Sequence, residues 1–517
     1  MPASVRANAN SPLGTNLDGI TDWSTDFPFV DALKRSREWI SSPVSTWEDH
    51  RPIPLDERGN PRALARGQRA RSLIWWEVTQ YPAGDYVVLY DGVGTLSYDP
   101  QGELVHKAPG REVVHLDPKK GFFSLLIESI KPSDPLRNVH VLMPGGVCDN
   151  DPVRYCDDKL PCSGAPCRSF EQDHESQIFH PKFLERLQKF SVVRFMDWMR
   201  TNDSKEKKWA DRPLPTDARF RDGAPVETMV ALANRLSQSP WFNIPHAADD
   251  DYVRRFATYV RDHLRSDLKA YVEYSNEVWN GIFPQASYVQ AQGKKLGLGK
   301  SDWDAQYRYH ARRSTEVMKI WEGVFKGQEQ RLVRVLGTQV ANEGVAEGLL
   351  SFEDAAQHVD VLAVAPYFGG EYASPEEEKR WEKATVTEVI DDIHKRTLPL
   401  CNTFIKRHAE IAAKYKLELV AYEGGESFAG IAGTENNAKL NKLLDAVGRD
   451  PRMKQVYLDY LEGWKNNGGK LFVHFTDVFA PGKYGRWGAL EYLEQPRAQA
   501  PKFDALMTFI ETHPRWW

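Results

Sequence analysis

The spacing of apolar residues changes at about residue 179, and the two parts of the chain predict different structures. Downstream of that point, apolar residues three and four positions apart alternate with short, nearly continuous apolar runs. In the first helix and strand, the spaced apolar residues are Phe183, Leu184, Leu187 and Phe190, and the continuous run that follows is SVVRFMDWM. The spaced pattern is typical of amphipathic helices, and the continuous one is typical of strands that are covered on both faces.

Seven of these helix and strand units follow one another, and the short run LGTNL near the amino terminus adds an eighth strand. Eight strands that alternate with helices favour an α/β fold of the (β/α)8 type, the TIM barrel. An open doubly wound sheet is the main competing fold. It is disfavoured because no predicted strand is followed by a glycine-rich phosphate-binding sequence, and because the count closes at eight.

The segment between the first strand and the first helix has a different pattern. Short runs such as DYVVLYDG and RNVHVLMPGG alternate with a period near two and are separated by proline and glycine, which predicts a β-rich, sandwich-like module. We therefore divide the chain into residues 1–40, with the first barrel strand, an inserted module over residues 41–170, and the rest of the barrel over residues 171–517.

Four of the five cysteines lie close together near the end of this module. Their spacing lacks the paired CxxC units of a structural zinc site, so we expect two local disulfides, which indicate a secreted or periplasmic protein. Residues 1–11 contain no apolar core of a signal peptide, so either a leader has been removed or the protein is not exported. The clustered cysteines are Cys148, Cys156, Cys162 and Cys167.

The composition of the chain excludes some classes of function. A net charge of -5 provides no basic field for nucleic acid or anionic membranes, and no run of about 18 apolar residues is present to span a bilayer. The 16 Trp, 20 Tyr and 23 Phe fit a large aromatic core, and they also fit a cleft whose flat apolar faces bind sugar rings. The sequence also lacks GxSxG, HExxH and phosphate-loop motifs.

In barrels of this type the active site lies at the carboxyl ends of the strands. Glu277 ends the fourth predicted strand and Glu423 ends the seventh. Two carboxyl groups at the mouth of a barrel are what glycoside hydrolysis requires, one to protonate the leaving oxygen and one to attack the anomeric carbon.

This arrangement resembles the large clan of retaining glycoside hydrolases with (β/α)8 barrels, which carry an Asn-Glu pair after strand four and a Glu after strand seven. The resemblance covers the barrel and excludes the inserted module. It implies that Glu277 is the general acid/base, that Asn276 donates to the sugar 2-hydroxyl, and that Glu423 is the nucleophile. It also implies that Arg194, after strand two, hydrogen-bonds Glu423 and keeps it ionised, and that Tyr367, after strand six, contacts the same carboxylate.

Three further residues are candidate substrate contacts. His246 ends the third strand, and His474 lies on the eighth. The clan commonly has a Trp sugar platform after strand eight, and this sequence departs from that pattern. Phe475 or Trp487, further along the loop, would then have to supply the aromatic face.

Each catalytic candidate has a competing interpretation. Glu426 follows Glu423 by three residues and is a rival for the nucleophile, and Arg194 could instead form a structural ion pair with Asp197. The aspartates of the cysteine-rich loop lack EF-hand spacing, so no metal site is assigned there. No cofactor is expected for hydrolysis by two carboxyl groups.

The sequence thus predicts a retaining hydrolase of β-linked polysaccharide or oligosaccharide, with an endo-β-glucanase of the cellulase type favoured. Xylan, mannan and further β-glycans remain open as substrates. A transglycosylase that uses the same residues and a carbohydrate-binding barrel without turnover are competing functions. The expected partner is a glycan, with neither nucleic acid nor membrane, and the sequence makes no prediction of oligomeric state.

Overall fold

The structure, a computed structural model, describes residues 8–517. The predicted absence of a signal-peptide core therefore lies in part outside the described residues. The strands are β1 (Leu13–Asn16), β2 (Ile40–Ser41), β3 (Ala70–Trp75), β4 (Gly84–Asp91), β5 (Gly94–Pro100), β6 (Glu103–Ala108), β7 (Arg111–Leu116), β8 (Phe123–Ile130), β9 (Arg137–Leu142), β10 (Gly146–Cys148), β11 (Asp151–Cys156), β12 (Cys167–Ser169), β13 (Val192–Arg194), β14 (Ser239–Ile244), β15 (Ala270–Tyr274), β16 (Leu332–Gly337), β17 (Val361–Val364), β18 (Glu418–Ala421) and β19 (Gly469–His474).

Strands β1 and β13 to β19 form a closed parallel barrel in chain order. The α/β TIM-barrel prediction is confirmed, and closure excludes the open sheet. The α-helices are α1 (Phe170–Asp173), α2 (Pro181–Leu187), α3 (Val226–Leu236), α4 (Asp250–His263), α5 (Pro284–Lys295), α6 (Asp302–Val324), α7 (Glu343–Leu350), α8 (Glu378–Trp381), α9 (Val386–Asp392), α10 (Leu398–Lys414), α11 (Ala438–Arg449), α12 (Met453–Asn466) and α13 (Pro501–Thr512).

Helix α4 shows how the local sequence sets these elements. The Asp249 side chain accepts a hydrogen bond from the backbone N–H of Tyr252 and caps the helix, while Asp250 and Asp251 place negative charge in its first turn. The buried face of the helix packs on the barrel, with the Phe256 ring 5.2 Å from that of Phe242 on β14. Because apolar helix faces cover the barrel from outside and side chains fill it from inside, strands such as β17 are buried throughout.

The segment between β1 and β13 carries three antiparallel sheets. Their strand orders are β2-β3-β8-β5, β6-β7-β4-β9 and β11-β10-β12. The packing is continuous with that of the barrel, since Trp75 of β3 contacts Phe27 from the loop after β1, with ring centroids 6.5 Å apart. The inserted sheets therefore stand beside the β1 side of the barrel.

The two predicted disulfides are present. Cys148 bonds to Cys162 and Cys156 to Cys167, which pins the third sheet to its loop. Among the described residues, no helix is both long enough and apolar enough to cross a membrane.

Candidate active site

The carboxyl ends of the barrel strands bring the two candidate acids to one mouth. Arg194 is the last residue of β13, Glu277 lies three residues beyond β15, and Glu423 lies two residues beyond β18. All eight barrel strands are parallel, so these three strand ends lie at the same end of the barrel.

Arg194 is the centre of the site. Its guanidinium is fully buried and donates hydrogen bonds to Glu423 Oε1 (2.7 Å), Glu273 Oε2 (2.9 Å), Asn276 Oδ1 (2.9 Å) and Asn16 Oδ1 (3.1 Å). The planar fork of an arginine can hold several acceptors at fixed angles, which a lysine cannot do. One side chain thus positions groups that come from four places around the barrel: β1, β15 and the loops after β15 and β18.

The ion pairs of Arg194 decide between the two roles that the sequence allowed for this residue. They are made to Glu273, on β15, and to Glu423. The interpretation of Arg194 as a structural partner of Asp197 is therefore wrong.

Glu423 is held at both oxygens. Arg194 donates to Oε1, and the Tyr367 hydroxyl donates to Oε2 at 3.0 Å. Burial raises the pKa of Glu423 to about 8, while the Arg194 charge lowers it, the Glu277 charge raises it, and the hydrogen bonds from Arg194 and Tyr367 lower it. The resemblance implies that Arg194 keeps this carboxyl ionised, but in the free protein burial outweighs that effect.

Glu277 is half-buried, whereas Glu423 is buried. Its Oε1 accepts from the Tyr422 hydroxyl at 2.7 Å, and its Oε2 accepts from Asn280 Nδ2 at 2.9 Å. Tyr422 is the neighbour of Glu423 in the chain, so a single residue links the two acids. The charges of both glutamates also contribute to raising the pKa of Tyr367, after burial as the main cause, which places both carboxyls close to that hydroxyl.

The backbone that carries Glu277 is strained. Ser275 and Glu277 have positive φ of 57° and 41°, a left-handed conformation that costs side-chain-bearing residues about 1–3 kcal/mol each. Asn276, between them, is held by Arg194 at its side-chain oxygen and by Gln285 Nε2 at its backbone oxygen, 2.9 Å away. Such strain persists only where surrounding contacts impose it, and here it turns Glu277 toward the pocket.

The remaining predicted contacts lie at different depths. His246 is almost buried, its ring lies 4.9 Å from that of Tyr288, and burial lowers its pKa. Trp487 lies beside the acids, with its ring 5.5 Å from Tyr367 and 5.8 Å from Phe475. It is thus in contact with the tyrosine that bonds Glu423.

His474 differs from its expected role. Its side chain has no exposed surface, its Nε2 lies 3.5 Å from the Tyr457 hydroxyl, and burial lowers its pKa to about 3. A neutral imidazole inside the wall supports the strand ends and does not reach the open pocket.

Glu426, the rival nucleophile, lies in a separate buried cluster. Its carboxylate accepts from Lys502 Nζ at 2.5 Å and from the Tyr457 hydroxyl. Because Glu426 is 1% exposed, it is removed from any sugar in the mouth. The neighbours of the two glutamates therefore favour Glu423.

Sequence reasoning missed several residues of the site. Glu273 and Asn16 accept hydrogen bonds from Arg194, and Tyr422 donates one to Glu277. The backbone N–H of Asp18, after β1, donates to the carboxylate of Asp477, after β19. Burial raises the pKa of Asp18 to about 8 and that of Asp477 well above its ordinary value. Their positions just after barrel strands were the available signal.

No group of three carboxylates or imidazoles among residues 8–517 lies close enough to ligate one metal ion. Within the same residues, the only three potential metal ligands that lie this close together are Cys148, Cys156 and Cys162, and all three form disulfides.

The pH dependence of activity is expected to follow the ionisation of Glu423. A nucleophilic carboxyl must be ionised, so with its pKa raised by burial, kcat/KM is expected to rise with pH through neutrality. Tyr367→Phe removes a hydrogen bond that lowers this pKa, and the acidic limb should therefore move to higher pH. Tyr415→Phe is the matched control, because its hydroxyl bonds to Glu347, 3.0 Å away on the outer helices. A limb that moves to lower pH in Tyr367→Phe would contradict this assignment.

No known family model matches the chain, and no curated protein matches it. Solved structures similar to it include two fungal β-1,4-galactanases, at 10% identity over 63% of this chain and 92% of that chain, with a TM-score of 0.35. A 4-O-α-L-rhamnosyl-β-D-glucuronidase from Fusarium oxysporum 12S is 14% identical over 63% of each chain, with a TM-score of 0.37. A broad specificity endoglucanase from Clostridium acetobutylicum is 12% identical over 63% of this chain and 88% of that chain, with a TM-score of 0.33. At these values the likeness is too distant to place the chain in a family.

Proposed function

We propose that the protein is a retaining glycoside hydrolase that cleaves β-linked polysaccharide, with β-glucan as the favoured substrate and an endo mode of attack. The observation that carries the proposal is the pairing of a carboxyl held by Arg194 and Tyr367, Glu423, with a second, more open carboxyl, Glu277, at the mouth of one barrel.

The geometry supports two displacements. In the first, Glu423 attacks the anomeric carbon while Glu277 gives its proton to the leaving oxygen, so the glycosidic C–O bond breaks as a glycosyl ester forms. In the second, Glu277 takes a proton from water, which attacks the same carbon and releases Glu423. Two inversions leave the anomeric configuration unchanged.

The half-exposed position of Glu277 suits its double role, since the leaving sugar departs and water enters on the open side. In this proposal the amide of Asn276, whose oxygen accepts from Arg194 and whose nitrogen donates to Asn202, would donate to the sugar 2-hydroxyl. Trp487 and Phe475 supply the aromatic surface on which a neutral sugar ring packs. The two disulfides support the proposal that the protein is exported.

The test is a panel of carboxymethyl cellulose, mixed-linkage β-glucan, xylan and glucomannan, with new reducing ends measured over time and the first-formed anomer read by NMR. We expect the β anomer from one or more of these polymers. An α product would show inversion, and longer oligosaccharides in place of free ends would show transglycosylation. Binding without release of ends would favour the non-catalytic barrel.

A further inference from the structure

Two tryptophans are unusually exposed on the β1 side of the molecule. Trp23, in the loop after β1, is 46% exposed, and Trp47, in the inserted segment, is 43% exposed. Tryptophan is highly buried on average, and in the described part of the chain only Trp303 is exposed to a similar degree. Two exposed tryptophans near one another form a candidate binding surface.

These residues belong to one continuous surface, which we call the aromatic strip and define as Trp23, Trp76, Trp47 and Phe122. The Trp76 ring lies 5.9 Å from Trp47 and 5.1 Å from Phe122. The guanidinium of Arg37 joins Trp23 to this group, since it lies 5.8 Å from the Trp23 ring and 5.7 Å from the Trp76 ring.

The aromatic strip begins on the loop that follows β1, the strand that carries Asn16 of the candidate active site. Its first member, Trp23, lies seven residues beyond Asn16, which Arg194 contacts, and an extended segment of that length reaches at most about 25 Å. The backbone N–H of Trp76 donates to the Asp22 carbonyl at 2.8 Å, so the inserted sheet is fastened directly to this loop. The inserted segment thus contacts the loop that leaves the carboxyl end of β1.

The charges beside the strip favour a neutral occupant. Arg37 pairs with Asp22 at 2.7 Å, and Arg71, whose guanidinium lies 4.3 Å from the Trp47 ring, pairs with Asp99 at 2.6 Å. Paired guanidiniums add little field for a polyanion; the Arg71 side chain is nearly buried, and the partly exposed Arg37 is the one that can offer N–H groups to hydroxyls at the edges of the rings. Flat apolar faces with such donors at their rims match the faces and hydroxyls of sugar rings.

We propose that the aromatic strip is a distal binding site for the glycan chain, holding neutral sugar residues several units from the bond that is cleaved. This inference rests on the proposed function for the direction of the chain, and it assigns the inserted segment a part in substrate binding.

The test compares Trp23→Ala, Trp47→Ala and the double variant with Trp517→Ala. Trp517 is a matched control because Arg515 lies 5.4 Å from its ring, yet its neighbour Trp516 is bonded to Gly469 at the opposite end of the barrel. Two readouts are used: KM for the polymer of the panel that wild type cleaves fastest, and kcat/KM for the matching aryl glycoside, which is too short to reach the strip. Melting temperatures check folding, and Trp23→Phe tests whether an aromatic face restores binding.

We expect each Trp→Ala change to raise KM for the polymer by about tenfold and to leave the aryl glycoside unaffected. Retardation in native gels that contain each polymer, measured in a Glu277→Gln background, should weaken in parallel. Strip variants that match Trp517→Ala in both readouts would overturn the inference and leave the catalytic assignment intact. If the wild-type protein cleaves none of the polymers, the proposed function fails, and glycan binding by the aromatic strip is then judged from the native gels alone. Weaker retardation of the strip variants would support the binding site, and unchanged retardation would refute it.

Discussion

Glu423→Gln is expected to lower kcat/KM by about five orders of magnitude, because an amide cannot form the glycosyl ester on which both displacements depend. The change keeps the shape of the side chain and its contacts with Arg194 and Tyr367, so little effect on folding is expected. The control is Glu418→Gln on the same strand, at the exposed opposite end of the barrel, which should keep wild-type rates.

Glu277→Gln should behave differently, and the difference identifies the roles. Loss of the general acid is expected to cost about two to four orders of magnitude on polysaccharide. The loss should be much smaller for an aryl glycoside with a good leaving group, because that bond needs no protonation. Added azide, which needs no general base, should then restore turnover in Glu277→Gln and yield a glycosyl azide of retained configuration, while Glu423→Gln gains nothing. Wild-type rates in both variants would show that the site has been assigned wrongly.

Arg194→Met is expected to be the most destabilising single change in the site. It leaves Glu273 and Glu423 buried without their shared cation, and breaking one partner of a buried ion pair costs about 3–5 kcal/mol of unfolding free energy. Activity should be lost as well, because Glu423 would then be protonated over a wider pH range. Urea unfolding followed by circular dichroism measures the first effect, and kcat/KM for the aryl glycoside measures the second.

A second substitution distinguishes the two effects of Arg194→Met, the unbalanced carboxylate charge and the lost side-chain packing. Adding Glu273→Gln to Arg194→Met removes one of the stranded carboxylates, so the double variant should unfold at a higher urea concentration than Arg194→Met alone. Activity should stay low, because Glu423 still lacks its partner. Equal stability of Arg194→Met and wild type would contradict a buried network centred on this arginine.

The barrel could be predicted from sequence because its signal is repeated and local. The barrel strands are mostly buried on both faces, so they appear in the sequence as short, largely apolar runs such as β17, and each helix shows its apolar stripe independently. The two acids were found for a related reason: in a parallel barrel the ends of strands are the mouth, so a position in the chain converts directly into a position in space.

The residues that surround each acid in space could not be predicted from their positions in the chain. Glu426 was a rival to Glu423 in the sequence, and only packing shows that Glu426 is buried with Lys502 and Tyr457. His474 was expected at the substrate, yet its imidazole is fully buried in the wall.

The amino-acid sequence alone determined the α/β barrel, the inserted β-rich segment, the presence of two disulfides and the two strand ends that carry the candidate acids, because each of these depends on residues near one another in the chain. Tertiary structure alone decided which cysteines pair, that Arg194 holds Glu273 and Asn16 as well as Glu423, and that Trp23 meets the inserted sheet. Those contacts join residues up to 229 positions apart. Such distant residues become neighbours only when the barrel closes and buries them, so a local sequence pattern cannot predict them.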